Sequence, residues 1–343
     1  MSHYVGLDVS LEQTNVCVLD GSGAVVFEGK VASTPEAIAG CVARHAPEAV
    51  TVAFETGPLS TWHYHALAEL GVAVTCLDAR HARAALSLRL NKTDRNDARG
   101  IAELVRMGWT REARVKSLAS HRVRGVLSAR GQLMRMRRDV ENQVRGITRT
   151  FGVLVGKGSG AAFARRARRL VEDDCALAAI VEPLLVVHAT MLAELAGLDA
   201  AVLRTARGDE TCRRLMTVPG VGAITALTFV VTIDDATRFG SSSDVGAYLG
   251  LTPRRHQSGE VDRGGRISKC GDTTLRALLY DAAHVLLSRV KRDSDLRSWG
   301  LALTRRIGAK KAKVAVARKL AVMLHAIWVD GTTFEAAPSA AAR

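Results

Sequence analysis

Aromatic residues are scarce in this sequence, with four Trp, four Tyr and seven Phe among 343 residues. Hydrophobic residues nevertheless make up 48% of the chain, so the apolar content comes mainly from Ala, Leu and Val. Ala and Leu are strong helix formers, and the composition therefore predicts a largely helical protein. The chain is also longer than one hydrophobic core usually supports, so we expect two or three domains.

Cysteine pairs and long apolar segments are lacking as well. The six cysteines form no Cys-x-x-Cys pair and no His-flanked cluster, which argues against a zinc site and a disulfide framework and favours reduced thiols. The longest apolar candidates, 226–233 and 184–187, are far too short to span a membrane. The first residues contain no signal peptide. We therefore expect a soluble, cytoplasmic protein with no membrane partner.

Positive charge is abundant and unevenly distributed. The net charge is +14, with a pI near 10. Residues 1–115 carry 11 Lys/Arg against 13 Asp/Glu, whereas residues 116–343 carry 37 against 21 and are therefore +16. A basic balance of this kind favours a polyanionic partner, with the attraction concentrated in the C-terminal two thirds.

The first third reads as three short strands followed by alternating helices and strands. Short β-branched runs are typical of strands, and the later helical spacing is typical of amphipathic helices. This order fits an RNase H-like layout. The predicted strands are 4–9, 15–19, 24–27, 49–55 and 73–77, and the predicted helices are 37–45 and 62–70.

Four acidic residues fall at informative places in that layout. Asp8 lies in the first strand and Glu55 at the carboxyl end of a central strand, where ligands of open α/β sheets collect. Asp94 and Asp97 are three residues apart in the motif 91–98, so both carboxylates project from one helix face if a helix begins there. Carboxylate oxygens suit a hard divalent cation. The plainer interpretation is that the strand acids face solvent and that Asp94 caps a helix.

Residues 117–150 show a seven-residue apolar repeat at Val126, Leu133, Val140 and Ile147. A second apolar seam follows between residues 177 and 202, so we expect the two segments to form the arms of an antiparallel helical hairpin. Pro183 would kink or start the helix of the second arm. The joint at 156–169 is either a phosphate-binding segment or a plain solvated turn. The second seam is Leu177, Val181, Leu184, His188, Met191, Leu195, Leu198 and Val202, and the basic residues of the joint are Arg165, Arg166, Arg168 and Arg169.

The turn 218–223 contains Gly220 and Gly222 and precedes an apolar helix. Such a turn presents backbone N–H groups to phosphate in helix-hairpin-helix modules that grip DNA. It is equally an ordinary helix start. Both interpretations remain open.

Ser258 lies in a glycine-rich stretch between residues 248 and 271. Most Ser-Gly pairs in loops are simple turns. Here nearby cations would stabilise a phosphate attacked by the serine hydroxyl. The helix that follows has an apolar stripe and Asp272 at its predicted cap. The cations are Arg254, Arg255, Arg263, Arg266 and Lys269.

Taken together, these motifs resemble those of insertion-sequence transposases that join a RuvC-like Asp-Glu-Asp-Asp domain to a C-terminal serine domain, also called bridge-RNA-guided recombinases. The resemblance covers nearly the whole chain. It is carried by the motifs 6–8, 54–57, 91–98, 219–222, 250–255, 258–259 and 268–271.

The resemblance implies a RuvC-like, RNase H-like domain at 1–115 and a mostly helical serine domain at 207–332. The apolar seams predict a coiled-coil hairpin at 116–206 between them, and the composition of the last residues predicts a disordered tail at 333–343. The resemblance also implies that Asp8, Glu55, Asp94 and Asp97 bind Mg²⁺, with Mn²⁺ as a substitute, and that Ser258 forms a phosphoserine link to DNA. Arg254, Arg255, Arg263, Arg266, Lys269, Gly220 and Gly222 are the expected nucleic acid contacts.

The resemblance further implies donor and target double-stranded DNA, a guide RNA, and a homodimer or homotetramer whose active site combines two subunits. One departure is His256-Gln257 before Ser258, where the family more often has an aromatic residue and a second serine. The proton acceptor for Ser258 therefore stays open.

Two other functions fit the same residues. A metal-dependent nuclease or Holliday-junction resolvase would use the four acids to activate water, with the serine loop only binding phosphate. A nucleic-acid-binding scaffold would keep the basic surface and have degenerate acids.

Overall fold

The computed structural model describes residues 2–87, 93–259 and 261–335. The chain separates into two compact units, Met1–Leu118 and Ala119–Arg343. The first unit combines a sheet with helices, and the second is mainly helical. The helical hairpin and the C-terminal region thus belong to the same unit.

The first unit contains a five-stranded mixed sheet that is compatible with an RNase H-like domain. Its strand order is β3-β2-β1-β4-β5, with β2 antiparallel to β1 and β3, and with β1, β4 and β5 parallel. The elements are β1 (His3–Val9), β2 (Gln13–Leu19), β3 (Val25–Ala32), α1 (Pro35–His45), β4 (Ala49–Glu55), α2 (Ser60–Glu69), β5 (Val74–Leu77), α3 (Ala79–Leu86) and α4 (Asp94–Arg106).

The predicted strands and helices of this unit are present, with two differences. Strand β3 continues to Ala32, five residues past the predicted end, because it pairs along the whole of β2. Helix α3 was not predicted from the sequence; the Asp78 side chain begins it by accepting a hydrogen bond from the Arg80 amide at 2.9 Å.

Apolar residues cover both faces of this sheet. On one face Leu7, Phe54 and Ile38 belong to a core that the sheet forms with α1 and α2. On the other face the strands pack against α4, where Cys17 lies beside Ala98 and Ala102. Burial there raises the pKa of the Cys17 thiol to about 12. The sheet is therefore a buried layer between helices.

The second unit begins with two long helices joined through a shorter one. These three helices are α5 (Leu118–Thr150), α6 (Gly160–Val171) and α7 (Cys175–Gly208). The elements that follow are α8 (Glu210–Leu215), α9 (Ala223–Ile233), α10 (Ser242–Tyr248), β6 (Pro253–Ser258), β7 (Val261–Ile267), α11 (Thr273–Ser288), α12 (Asp295–Ile307) and α13 (Ala309–Asp330), with a 3-10 turn at Ala236–Arg238.

Helices α5 and α7 run antiparallel. Arg130 of α5 contacts Asp199 of α7, and further along α5 the Glu141 Oε1 atom lies 3.0 Å from Nε2 of His188. Because the later residue of α5 contacts the earlier residue of α7, the two helices run in opposite directions. The buried face of α7 follows most of the predicted seam, but Leu185 is buried in place of Leu184. Pro183 lies inside α7, eight residues after Cys175, and does not start the helix.

Most of the hairpin joint is helix α6, which contradicts the alternative that the joint is a plain solvated turn. Phe163 and Ala167 are buried on one side of α6, which explains why the segment folds. Arg168 pairs with Glu182 at 2.7 Å, and Arg166 donates to two backbone carbonyls at 3.2 and 3.0 Å. Two of the four arginines are thereby engaged within the unit.

Helix α7 also corrects the prediction that every apolar segment is too short for a membrane. In the described part of the chain it alone has the length and composition of a span. Core helices pass the same test, and α7 buries Val181, Leu185 and Leu195 within the unit. This is therefore weak evidence for a membrane.

The C-terminal helices surround one apolar core. Leu275, Leu279 and Leu286 of α11 are fully buried against α13, as the predicted stripe requires. The Asp272 side chain caps α11 by accepting from the Leu275 amide at 2.8 Å. Phe334 packs against this core, so the predicted tail starting at 333 begins too early; residues 336–343 lie outside the described residues.

Candidate catalytic site

The two strand acids lie at neighbouring strand ends. Leu7 of β1 pairs in parallel register with Phe54 of β4. One more residue along each strand sets Asp8 beside Glu55. Side chains alternate between faces along a strand, so these two acids share the face of Gly6 and Ala53, two residues earlier.

That shared face is the one covered by α4. A Cβ atom on Gly6 would lie 2.1 Å from the Ala98 carbonyl oxygen and 2.4 Å from the Ala102 amide. Ala53 is buried with Ile101 of the same helix. Only glycine at position 6 lets the α4 backbone approach β1 this closely.

The orientation of α4 directs its first turn toward the two strand acids. Its last residue, Arg106, lies against the turn after β2, beside Gly23. Leu19, the last residue of β2, pairs with Tyr4 near the start of β1, so that turn lies next to the start of β1. Helix α4 therefore runs antiparallel to β1 and begins near the end where β1 finishes.

The helix acids are one turn before the contact residues. Asp94 precedes Ala98 by four residues, and Asp97 precedes Ile101 by four, so each lies on the same stripe as a sheet-facing residue. One helical turn is about 5.4 Å, close to the roughly 6.6 Å of two strand residues. The four acids therefore project toward one edge of the sheet.

Helix α4 begins inside the motif 91–98, but Asp94 is its first residue and not its cap, so the plainer interpretation of Asp94 as a helix cap was wrong. Thr93 is its N-cap, and the Thr93 hydroxyl oxygen accepts a hydrogen bond from the Asn96 amide at 3.2 Å. Asp94 and Asp97 in the first turn also favour the positive end of the helix dipole. Residues 91 and 92 of the motif lie outside the described residues.

The donor chemistry at this edge fits a hard cation, because all four groups are carboxylates. Their spacing does not form a complete site: within the described ranges, no three His, Cys, Asp or Glu side chains are grouped so as to hold a metal ion. The fold thus directs the acids to a common edge without closing them into a ligand set.

Ser258 is exposed at the end of β6, in a hairpin that β6 forms with β7. Gly259 follows it with φ of 54°, a left-handed conformation that suits the turn. The hydroxyl is therefore presented on a projecting two-stranded ribbon, and the predicted loop is a hairpin.

The five cations near Ser258 do not all face it. Arg255 donates to both carboxylate oxygens of Asp262, at 2.9 and 2.6 Å, which raises the pKa of the guanidinium. Arg255 is also an odd number of residues from Ser258 and so lies on the opposite face. Arg263 pairs with position 256 across the hairpin and shares the Ser258 face. Arg254 donates to the Ser268 carbonyl at 3.2 Å.

The base of the hairpin is fixed by two glycines and an arginine. A Cβ atom on Gly250 would lie 2.1 Å from the Cys270 carbonyl oxygen, and one on Gly271 would lie 2.2 Å from that of Tyr248. Arg276, which the sequence analysis missed, donates to three carbonyls of this junction at 2.7 to 3.2 Å. The motif glycines thus allow two chain segments to cross.

Gly220 is also explained by packing. It has φ of 89°, and a Cβ atom there would lie 2.6 Å from the Ala282 carbonyl oxygen of α11. Gly222 is different: it is the exposed N-cap of α9, without a side-chain cap and with open space around its Cα. Of the two, only Gly222 is placed to meet a ligand.

Comparisons with known proteins match both halves of the chain. The family model described as "Transposase IS116/IS110/IS902 family" matches residues 212–298, and a model described as "Transposase" matches residues 5–151. The transposase for insertion sequence element IS1111A of Coxiella burnetii is 28% identical, over 96% of this chain and 90% of its own length.

Two further relatives are informative. The "Probable family 20 transposase" of Pseudomonas aeruginosa is 32% identical, over 77% of this chain and 80% of its own length. The "Pilin gene-inverting protein" of Moraxella lacunata is 36% identical over a shorter stretch, 21% of this chain and 23% of its own length.

Replacing Gly6 with Ala tests the contact that positions the helix acids. The added methyl group overlaps the α4 backbone, so we expect Gly6→Ala to lower the free energy of unfolding of the first unit by at least about 2 kcal/mol. Gly40→Ala in α1 is the control, because nothing lies within 4 Å of its Cβ position, and it should raise stability by about 0.5–1 kcal/mol. Urea unfolding of the full chain measures both. Wild-type stability in Gly6→Ala would show that α4 does not pack on β1 as described.

Proposed function

Because the chain belongs to the IS110/IS116 family of insertion-sequence transposases, we propose that it cuts and rejoins DNA through a phosphoserine link at Ser258. The observation that carries this proposal is the exposed Ser258 at the end of a basic hairpin whose base is fixed by tight packing. A nucleophile on an accessible ribbon with a fixed base can approach a phosphodiester without rearrangement of the core.

The reaction conserves the energy of the phosphodiester. The Ser258 hydroxyl gives up its proton as its oxygen attacks phosphorus, and a new Oγ–P bond forms. The P–O bond to one deoxyribose breaks, and the leaving oxygen takes up a proton to become a DNA hydroxyl. After strand exchange, a DNA hydroxyl attacks the same phosphorus and releases the serine. No nucleotide triphosphate is consumed. Arg263, on the Ser258 face, is placed to offset charge on the phosphate oxygens.

Asp8, Glu55, Asp94 and Asp97 are the residues that would hold Mg²⁺, or Mn²⁺ in its place. When bound, such an ion polarises a phosphate oxygen and orients the scissile group. The support in this chain is the common sheet edge to which the four acids project. The acids themselves exclude the DNA backbone unless a cation offsets their charge.

The acids and the serine belong to different units of the chain. We propose that the acids of one subunit serve the serine of another, in a dimer or tetramer. Donor and target DNA, together with a structured guide RNA, would be bound in the cytoplasm. The excess of positive charge in residues 116–343 supports polyanion binding. The name of the Moraxella lacunata relative, a pilin gene-inverting protein, supports rejoining as well as cutting.

Trapping a covalent adduct tests the chemistry. A DNA substrate nicked next to the cleavage position loses its leaving strand, so the phosphoserine protein–DNA species should accumulate and appear as a shifted band under denaturing conditions. Ser258→Ala should abolish this band, whereas Ser298→Ala, an exposed serine on α12, should leave it unchanged. Cleavage without any adduct would instead indicate a water-using nuclease. Binding with neither cleavage nor adduct would indicate a scaffold.

A matched pair of helix caps tests the acidic edge. Thr93 caps α4 and Thr34 caps α1, with cap hydrogen bonds of 3.2 and 3.3 Å. Each Thr→Ala change should lower stability by about 1 kcal/mol. Only Thr93→Ala should also slow adduct formation in Mg²⁺, by about tenfold or more, because it loosens the turn that carries Asp94 and Asp97. Equal rates of adduct formation in the two variants would show that the first turn of α4 has no part in the reaction.

A further inference from the structure

A large basic groove lies between the β6–β7 hairpin and helix α13 in the second unit. Its volume is about 1390 Å³, and Trp299 of α12 contributes to its wall. We refer to it as the basic groove. Six cations line it: Arg266, Lys269, Lys310, Lys311, Arg318 and Lys319. Only the first two were singled out from the sequence.

The charge of the basic groove is not neutralised by the protein. None of the described residues that line it is acidic, and none of its six cations forms an ion pair within the described ranges. The Lys319 ammonium lies 4.6 Å from the centre of the Trp299 ring. Concentrated, uncompensated positive charge in a concave surface attracts an anionic chain.

The inner surface of the groove is apolar. Ile267 and Leu251 from the hairpin side face Val314 and Val322 from α13, with the exposed Trp299 ring beside them. An apolar surface flanked by cations matches a single nucleic acid strand, whose bases contact the interior while its phosphates meet the charges. A duplex keeps its bases stacked inside and offers such a surface only phosphates.

The spacing of cations on α13 matches a polyanion. Lys310 and Lys311 precede Arg318 and Lys319 by eight residues, or about 12 Å along the axis, and all four line the groove. Stacked nucleotides advance about 3.4 Å per residue of one strand. The two pairs of cations therefore span roughly three or four phosphates.

We propose that the basic groove binds a single strand of DNA, the strand that carries the phosphodiester attacked by Ser258. This inference rests on the proposed function. The hairpin that forms one wall of the groove also carries Ser258, so the same two strands would contact the bound DNA and present the nucleophile. Lys269, held at φ of 57°, fixes a cation at the junction of the hairpin base and the groove.

The test is binding of a fluorescently labelled DNA strand of about 16 nucleotides, followed by anisotropy at several salt concentrations. The protein is the full chain with Ser258→Ala and no divalent ion, so binding is measured apart from the chemistry. Lys310→Gln with Lys311→Gln should weaken binding and reduce the slope of log K against log salt by about 1.4. Arg204→Gln with Arg207→Gln removes the same charge from exposed positions of α7 and should leave the slope unchanged.

The ring of Trp299 has its own test. Trp299→Leu should weaken binding of the strand about tenfold with the salt slope unchanged, and Trp299→Phe should restore most of the loss. Wild-type affinity in both sets of groove variants, with circular dichroism showing folded protein, would overturn the proposal. If the groove variants lose as much affinity for duplex DNA as for the single strand, the assignment to a single strand is overturned. Tighter, groove-dependent binding of RNA of the same sequence would overturn the assignment to DNA.

Failure here and failure of the proposed function give different results. If the groove does not bind the strand, the adduct at Ser258 still forms on the nicked substrate in the wild-type protein. If the serine chemistry is wrong, no adduct forms, yet the strand still binds in the groove. The two measurements thus distinguish the two claims.

Discussion

The close contact between the α4 backbone and Gly6 of β1 is the constraint on which the acidic edge depends. A side chain at position 6 would push the helix away and carry Asp94 and Asp97 with it. The same contact fixes the helix register, because Ala98 and Ala102 are small enough to lie flat on the strand. Parallel pairing of β1 with β4 then sets Asp8 beside Glu55. Backbone packing, rather than any bond between the acids, brings residues far apart in the chain to one edge.

In the second unit, close backbone packing at glycines positions the hairpin that carries Ser258. Gly250 and Gly271 let two segments cross at the base of the hairpin, and Arg276 ties their carbonyls together. The strands above that base carry an exposed serine at the end of the hairpin, and residues nearer the base line the basic groove. Acidic and basic chemistry are thus segregated between the two units, as the charge distribution of the sequence indicates. Because the four acids are far along the chain from the hairpin, their negative charge does not offset the attraction of the hairpin cations for DNA.

Local periodicity made much of the fold predictable. The strands of the first sheet, a helix beginning within the motif 91–98 and most of the buried seam of α7 all follow from spacing. Features that depend on tertiary contacts were not predictable in this way. Helix α6 folds because Phe163 finds a core between the two long helices, and Arg255 forms an ion pair because Asp262 lies across the hairpin. The basic groove likewise combines segments fifty residues apart, which no local pattern reveals.

Binding of Mn²⁺ to the full chain, followed by the electron paramagnetic resonance signal of the free ion, tests the central claim most directly. The account predicts a site that Asp8→Asn and Asp97→Asn each weaken by about tenfold or more, although the two residues lie on different elements. Glu36→Gln, an acid in the first turn of α1, should leave it unchanged. Equal Mn²⁺ binding by all four proteins would contradict the convergence of these acids on a common cation.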